Sequence, residues 1–420
     1  MEKLKLSSMH KAFLKWRLRN IPERKFVIIL SVVVGLLSGL AAVLLKNLVH
    51  YTYIIITDSS WNNFVGGNFL MLIYPLIGIG LTILFLKVFI KGNIGHGIPN
   101  ILYAISRKKG RIPIHNTYSS LIASTLTVSF GGSVGLEAPI ATTGSAIGSN
   151  IGRFFRLNSK NIILLLGCGA AGAISGIFKA PIAGILFVLE VLMFDLTMTA
   201  AIPLLISSIT ASVIAFFFMG NDVQFAFHVN EHFDISQIPY FVVLGLFCGF
   251  VSVYFLRVIN RVEKMFSHVK KQFVKILIGG VVLGVLIFMF PPLFGEGYGA
   301  LSGLLHGNTD PLFRNSIFSS FQSNTWVCLV LLFAVILLKG IATSWPRAWL
   351  KESHAHFGSR LNLVIKMIFT LVCTAFLKPC TRDFTKRKFQ AAPLRNEVEQ
   401  PKRLAGAAKP RGFPKGLPFG

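Results

Sequence analysis

The chain has 420 residues, of which 53% are hydrophobic and only 14% are charged. Soluble domains carry about a quarter of charged residues, so this composition, with a mean hydropathy of +0.66, excludes an ordinary soluble protein. The net charge of +26 does not indicate a nucleic-acid partner, because no basic stripe is interleaved with stacking aromatic residues. We attribute it to basic loops that fix the topology and face anionic membrane lipid.

Long apolar blocks predict an all-α, polytopic membrane protein. A helix needs roughly 20 apolar residues to cross about 30 Å of hydrocarbon. The blocks that supply such spans include Phe26–Val49, Phe69–Ile90, Ala200–Phe218, Tyr240–Leu256 with its extension, Phe273–Met289 and Trp326–Leu338.

The N-terminal segment predicts the orientation. Residues 1–23 are expected to form a short basic amphipathic helix on the membrane face, and the first 25 residues hold eight Lys and Arg against two Glu. The positive-inside rule then places the N-terminus in the cytoplasm, in the inner (cytoplasmic) membrane of the cell. The basic cluster Arg107–Arg111 is a second cytoplasmic candidate. No secretory signal peptide is expected, because the first apolar block is too long and no cleavage site follows it.

The hydrophobic sequence divides into regions 24–220 and 238–344, joined by a polar linker, 221–237. Glycine, proline and serine interrupt the first region repeatedly, and two interruptions stand out, GHGIP at 95–99 and GGSVGLEAP at 131–139. Broken helices of this kind mark binding sites in transporters. In each motif glycines precede a proline, Pro99 or Pro139, that suits the first turn of a helix. Such a helix start directs backbone N–H groups and a partial positive charge at an anion.

Glu137 is the residue that carries the most chemical information. A charged side chain at the centre of a membrane helix costs about 2.5–3.5 kcal/mol on insertion scales. Its presence here suggests that a helix start receives the carboxylate, which then competes with a transported anion. Protonation would remove the charge and open the site, and burial favours the protonated form. The alternative is a glutamate that only caps its helix.

The order of the motifs resembles the CLC family of chloride channels and transporters. GHGIP and GLEAP are similar to that family's GSGIP and G(K/R)EGP patterns, and Gly167–Glu190 also agrees with it. Weaker matches are GEGYG at 295–299 and LLKGIATS at 337–344. The resemblance extends from about residue 25 to Ser344. It implies inverted repeats with broken and re-entrant helices, of which 24–220 is the first and 238–344 part of the second. It also implies a homodimer if the second repeat is complete.

The resemblance further implies roles for individual residues. Glu137 would be the gate, and its ligands would be chloride or similar small anions. Two helix-start prolines, Pro99 and Pro139, would shape the site, and the anion-binding positions would be His96, Gly97, Ile98, Gly135, Leu136 and Ala138. The family is not enzymatic. We expect no cofactor and no metal site, since the five cysteines form no CxxC pair.

Several positions depart from the family pattern. His96 replaces the serine that usually contacts the anion, so either its imidazole or the backbone amides alone would bind. Leu136 replaces a Lys or Arg, which removes a cation. Val191 stands where proton-coupled exchangers often carry an internal glutamate. No proton-relay residue is therefore predicted there, although Asp195 offers a substitute if it does not simply face water.

The resemblance stops after Ser344, where a glycine-rich turn and GxFxP would continue. Residues 345–420 instead hold 15 Lys and Arg against four Asp and Glu. We interpret this tail as basic, disordered and not native to the family, and a shifted reading frame near codon 344 as its origin. The alternative is a divergent member with a basic tail. A GxFxP continuation in another frame of the gene would support the first interpretation.

Three functions remain open from the sequence. The first is channel-like anion conduction, gated by Glu137 and sensitive to voltage or pH. The second is chloride/proton antiport. The third is an incomplete membrane protein that does not conduct, because part of the site is missing.

Overall fold

The computed structural model describes residues 15–17, 19–57, 70–90, 97–194, 197–220, 235–269, 271–313, 316, 318 and 325–349. Within these ranges the chain forms α-helices joined by short connections, and no β-strand occurs. The predicted all-α fold is therefore confirmed.

The helices vary from a single turn to ten turns. In chain order they are α1 (Glu23–Thr57), α2 (Leu70–Phe89), α3 (Ile98–Arg107), α4 (Asn116–Ser129), α5 (Glu137–Phe154), α6 (Ser159–Phe178), α7 (Pro181–Val191), α8 (Met198–Met219), α9 (Ile238–Ser267), α10 (Gln272–Met289), α11 (Tyr298–Leu305), α12 (Asp310–Phe313) and α13 (Thr325–Trp349). Turns of 3₁₀ helix precede α9 at Ile235–Gln237 and follow α10 at Pro291–Leu293.

Within the described ranges, six helices are long and apolar enough to span a membrane. They are Glu23–Ile56, Met71–Phe89, Ser159–Phe178, Thr199–Met219, Ile238–Phe266 and Trp326–Ser344. The protein is a multi-pass membrane protein. Five of these helices coincide with predicted blocks, whereas Ser159–Phe178 was missed because its run of Gly, Cys and Ala resembled an interruption. The predicted block Phe273–Met289 forms a shorter apolar helix.

Small residues let the helices of the first half approach closely. A Cβ added to Gly144 or Gly169 would collide with the backbone of the other, so α5 and α6 touch there. Helix α1 meets α8 in the same way, since a Cβ on Gly39 would lie 2.8 Å from the Cα of Ala211. Close contacts between small residues are a usual means of packing membrane helices. The glycines of α5 and α6 therefore serve packing and do not break those helices.

The second half joins the first mainly through α10, which packs on α2. A Cβ on Gly280 or Gly284 would meet Leu76 or Leu72, so this contact also depends on glycine. Helix α13 packs against both α9 and α10. With this packing, the segment between α10 and α11 lies next to the start of α5.

The predicted ends of the hydrophobic regions are only partly described. Of the segment 1–23, residues 15–17 and 19–20 are described as helical, and Arg17 is buried with its guanidinium 4.1 Å from the centre of the Phe26 ring. Most of the linker 221–237 and the tail beyond residue 349 lie outside the described residues. Helix α13 continues to Trp349, so the helix does not end where the family resemblance was predicted to end.

Candidate anion site around Glu137

Glu137 begins α5, and a glycine-rich loop leads into that helix from α4. Gly131 adopts a left-handed conformation with φ +93°, which residues with side chains rarely adopt. The Gly132 N–H donates to the Thr127 carbonyl at 2.8 Å and closes the turn. A Cβ on Gly131 would lie 2.8 Å from the ring of Phe294. The glycine therefore lets the loop before α11 approach the loop before α5.

The Glu137 carboxylate is held by a residue from the second half of the chain. Its side chain is 8% exposed and accepts a hydrogen bond from the hydroxyl of Tyr298. Tyr298 is the first residue of α11, and Gly297 before it is left-handed with φ +79°. The Tyr298 ring meets Phe178 edge-on with centroids 6.4 Å apart, a favourable aromatic geometry. Two helix starts separated by 161 positions thus meet at one hydrogen bond.

A small pocket surrounds this pair. Its volume is about 10 Å³, close to the least that admits one water molecule. Its lining comes from α1, the start of α5, the end of α6 and the GEGYG segment, and consists of Lys46, Leu136, Glu137, Ile177, Phe178, Glu296 and Tyr298. A larger guest can enter only if a lining side chain moves.

Charged groups of both signs meet at the pocket. The Lys46 ammonium group interacts electrostatically with the Glu296 carboxylate and with the ammonium group of Lys179, which follows α6. Lys179 Nζ in turn donates to the carbonyls of Met219 and Gly220 at 3.1 and 2.8 Å. A cation at the C-terminus of a helix, here α8, is stabilised by the helix dipole. Fixed cations therefore accompany the carboxylates at this site.

Helix α13 positions both loops that meet here. The Lys339 ammonium group donates to the carbonyls of Gly295 and Glu296 at 3.1 and 3.5 Å. The Thr343 hydroxyl donates to the Ser133 carbonyl at 2.9 Å. Residues four apart lie on the same face of a helix. One face of α13 therefore holds the loop before α11 and the loop before α5.

The positions predicted around Glu137 lie at the start of α5. Gly135 and Leu136 precede the helix, and Ala138 and Pro139 are in its first turn. Leu136 is 2% exposed and lines the pocket. The first turn of α5 is a regular helical turn, because the Ile140 N–H donates to the Leu136 carbonyl at 3.0 Å.

The second predicted helix start is described only in part. Helix α3 begins at Ile98, with Pro99 in its first turn and Gly97 before it at φ +80°. Ile98 is 1% exposed and belongs to the same buried cluster as Leu136. His96 lies outside the described residues. Within the described ranges, the start of α3 does not line the pocket around Glu137.

The fold and this pair of helix starts can be compared with known proteins. The family model described as voltage gated chloride channel matches residues 78–346, more than half of the chain. The chain belongs to the CLC family. Over 243 residues it is 30% identical to a putative chloride channel protein, ClcB-like, of Ralstonia nicotianae, with 56% of each protein covered.

Other CLC relatives are exchangers by name. The chain is 27% identical over 303 residues to the H(+)/Cl(-) exchange transporter ClcA of Vibrio cholerae, covering 67% of this chain and 62% of that protein. Its structure resembles that of a slow cyanobacterial Cl−/H+ antiporter, with a TM-score of 0.64 at 20% identity over 85% of this chain and 82% of the other. That likeness supports the CLC fold. The chain spans about half to three fifths of the length of the curated relatives it matches.

The CLC resemblance directed attention to Val191 as the position of an internal glutamate. Val191 is the last residue of α7 and is 5% exposed. Its neighbour Glu190 is exposed. Asp195, the substitute relay considered from the sequence, lies outside the described residues.

The residues that sequence reasoning missed are the partners of Glu137. GEGYG and LLKGIATS were noted only as weak family matches, and no role was assigned to Glu296, Tyr298 or Lys339. The cost of a charge within an apolar segment, which singled out Glu137, applies equally to Lys46 in α1 and Lys339 in α13. The sequence therefore contained evidence that could have identified Lys46 and Lys339. It contained none for the hydrogen bond from Tyr298, because that bond depends on how distant segments pack.

Proposed function

We propose that this CLC chain moves chloride or similar small anions across a membrane, in a channel-like manner, with Glu137 as the gate. The observation that carries the proposal is the buried Glu137 carboxylate at a helix start, in a pocket that Lys46 also lines. A buried carboxylate is costly unless it is paired or hydrogen-bonded. Its retention beside fixed cations is the arrangement expected of a group that substitutes for an anion.

Gating would follow from competition. While Glu137 is charged, its carboxylate satisfies the positive end of α5 and fills the space that an anion would need. Protonation removes that charge, and the ammonium groups of Lys46 and Lys179 then attract an external anion without opposition from this carboxylate. Flux should therefore increase as pH falls through the range in which Glu137 protonates.

The binding positions would be mainly backbone amides. Gly135, Leu136 and Ala138 would supply them at the start of α5, which Pro139 shapes. The corresponding set at the start of α3 would be His96, Gly97 and Ile98, with Pro99 in the first turn. N–H groups at helix starts lack intrahelical acceptors, so they are suited to this task.

A second candidate function is chloride/proton antiport. The similarity to the H(+)/Cl(-) exchange transporter of Vibrio cholerae favours this candidate. Val191 favours passive conduction, because a valine side chain cannot carry a proton at the position where exchangers of this family often use a glutamate.

The proposal includes the membrane, the orientation and the assembly of the protein. The basic N-terminal segment would lie on the cytoplasmic side of the inner membrane, in contact with anionic lipid. A homodimer is the expected assembly if the second repeat is complete. Protease protection of an N-terminal tag in sealed, oriented vesicles would test the orientation.

The proposed function is tested by reconstituting the full chain in liposomes and measuring chloride efflux at several pH values. Glu137→Gln, which is neutral at every pH, should give fast efflux that no longer depends on pH. Glu263→Gln, the same change on α9, is the matched control and should behave as the unaltered protein. An external proton electrode separates the two mechanisms, since antiport requires that a chloride gradient drive protons uphill. Efflux equal to that of empty liposomes for every variant would contradict transport and favour the incomplete, non-conducting protein.

A further inference from the structure

The hydrogen bond between Tyr298 and Glu137 connects the two halves of the chain at the candidate gate. The hydroxyl is the donor and the carboxylate oxygen Oε1 is the acceptor. Hydrogen bonds to an ionised acceptor are roughly twice as strong as neutral ones. The bond therefore favours the charged carboxylate, in the position it occupies beside the start of α5.

The Tyr298 side chain is itself held in place. Gly297 turns the chain into α11, and the Lys339 ammonium group binds the carbonyls of the two residues before Gly297. The ring is packed edge-on against Phe178. Because the backbone at Tyr298 and its ring are both held, the hydroxyl has little freedom to follow the carboxylate if that group moves away. The geometry suits a donor that defines one position for Glu137.

We propose that Tyr298 is a positioning residue that latches Glu137 in the blocking position, so that the gate opens when this hydrogen bond breaks. The inference rests on the proposed function of Glu137. It assigns a role in gating to a residue of the second half, whereas the sequence placed the gate entirely in the first half.

Lys46 on α1 and Glu296 before α11 line the same pocket. Nearby, Lys179 interacts electrostatically with Lys46, and Lys339 on α13 binds the Glu296 carbonyl. The effects of these groups on pH dependence must be separated from that of the latch. Replacing tyrosine by phenylalanine leaves all of them in place. It removes one hydroxyl and keeps the ring that packs against Phe178.

The test uses Tyr298→Phe in the full chain, purified in detergent, with chloride binding measured by calorimetry at several pH values. At about pH 8, where a free glutamate is charged, the variant should bind chloride roughly 3- to 10-fold more tightly, the range expected for loss of one hydrogen bond. As the pH is lowered until the carboxyl group is protonated in both proteins, the variant and the unaltered protein should converge, because a neutral carboxyl group no longer competes. Chloride efflux from liposomes should change in the same direction.

Tyr254→Phe is the matched control. Tyr254 donates to the Leu337 carbonyl at 3.4 Å, in the contact between α9 and α13 and away from the pocket. This variant should keep the chloride affinity and pH profile of the unaltered protein. If Tyr298→Phe also keeps them, the latch is refuted.

A double variant separates a latch from a structural role. In the Glu137→Gln background no charged carboxylate remains to be latched, so adding Tyr298→Phe should alter chloride affinity by less than about twofold. An equal effect in both backgrounds would show that Tyr298 shapes the site generally, and would refute the latch. If Glu137→Gln itself leaves chloride binding unchanged, the proposed gate fails first.

Glu137→Asp provides a second route if Tyr298→Phe does not yield a monodisperse protein. The shorter side chain keeps the charge but withdraws the carboxylate from the Tyr298 hydroxyl. It should tighten chloride binding at about pH 8 in the same direction as Tyr298→Phe, and unchanged binding would count against the latch.

Discussion

The two halves of the chain are packed to different degrees. Among the described residues, 78% of an apolar 18-residue stretch of Ser159–Phe178 in α6 is buried, whereas the corresponding shares for the spans in α9 and α13 are 22% and 28%. The first half supplies Glu137, the proposed gate, from a core in which glycines bring backbones into contact. The second half supplies the hydroxyl and the ammonium group that hold that glutamate and its neighbouring loop. Glu137 therefore lies on a densely packed part of the protein, whereas the groups that contact it from the second half lie on a less buried part.

The largest expected effect is a test of that density. Gly148→Ala in α5 would drive a Cβ into the backbone of Leu165, whereas Gly249→Ala in α9 meets nothing within 4 Å. We expect the first change to lower the free energy of unfolding by about 1–3 kcal/mol or more, because the overlap is with backbone. The second should be neutral or stabilising by up to about 1 kcal/mol, since alanine is the better helix former.

Thermal unfolding in detergent, monitored by the fraction that stays monodisperse in size-exclusion chromatography, measures the difference in stability between the two variants. Equal stability of the two variants would contradict the contrast between a dense first half and an open second half.

An intermediate effect is expected from Lys339→Met. The change removes charge-assisted hydrogen bonds to the carbonyls of Gly295 and Glu296, each worth about 1.5–3 kcal/mol. The loop before α11 should lose its fixed position, so that Tyr298 holds Glu137 less well and chloride affinity at alkaline pH increases. Methionine also removes the cost of holding a charge in an apolar helix, so the net loss of stability should be smaller than in Gly148→Ala.

Lys271→Met, at the exposed residue before α10, is the control for loss of a positive charge. Calorimetric chloride titrations of both variants compare them directly. A matching response in the two would assign the effect to net charge instead of to the loop.

The smallest expected effect concerns Lys46. Replacing it with methionine removes a cation from the pocket, and the chloride concentration for half-maximal efflux should rise roughly two- to fivefold, as for a partly exposed charge pair. Lys87→Met, near the exposed end of α2, should leave that concentration unchanged. The effect should shrink at high salt, since screening acts on exposed charges. A shift of the same size in both variants would exclude a local role for Lys46.

Much of the architecture was predictable from local pattern. Apolar length identified five of the six spans, and the glycine–proline motifs fall at the starts of α3 and α5, with Pro99 and Pro139 in the first turns. Ser159–Phe178 was missed because its Gly167–Gly172 run is read locally as a break. Only the facing glycines of α5 show that small residues are needed there for close packing.

The site was predictable only in its local part. The cost of a charge in an apolar region identified Glu137 from the sequence. Tyr298 could not be identified in this way, because its side chain is uncharged and its partner lies 161 positions away. The electrostatic contact between Lys46 and Glu296 likewise joins α1 to the segment before α11. Contacts of this range follow from tertiary packing, which a single sequence pattern does not encode.

Helix α13 carries Lys339 and Thr343 one turn apart, and these residues hold the loop before α11 and the loop before α5. A tilt or slide of α13 therefore carries both loops in the same direction and leaves the distance between them nearly unchanged. Rigid-body motion of this helix is a poor way to separate Tyr298 from Glu137. Movement of α13 alone should therefore disturb the Tyr298–Glu137 pair less than protonation of Glu137 does.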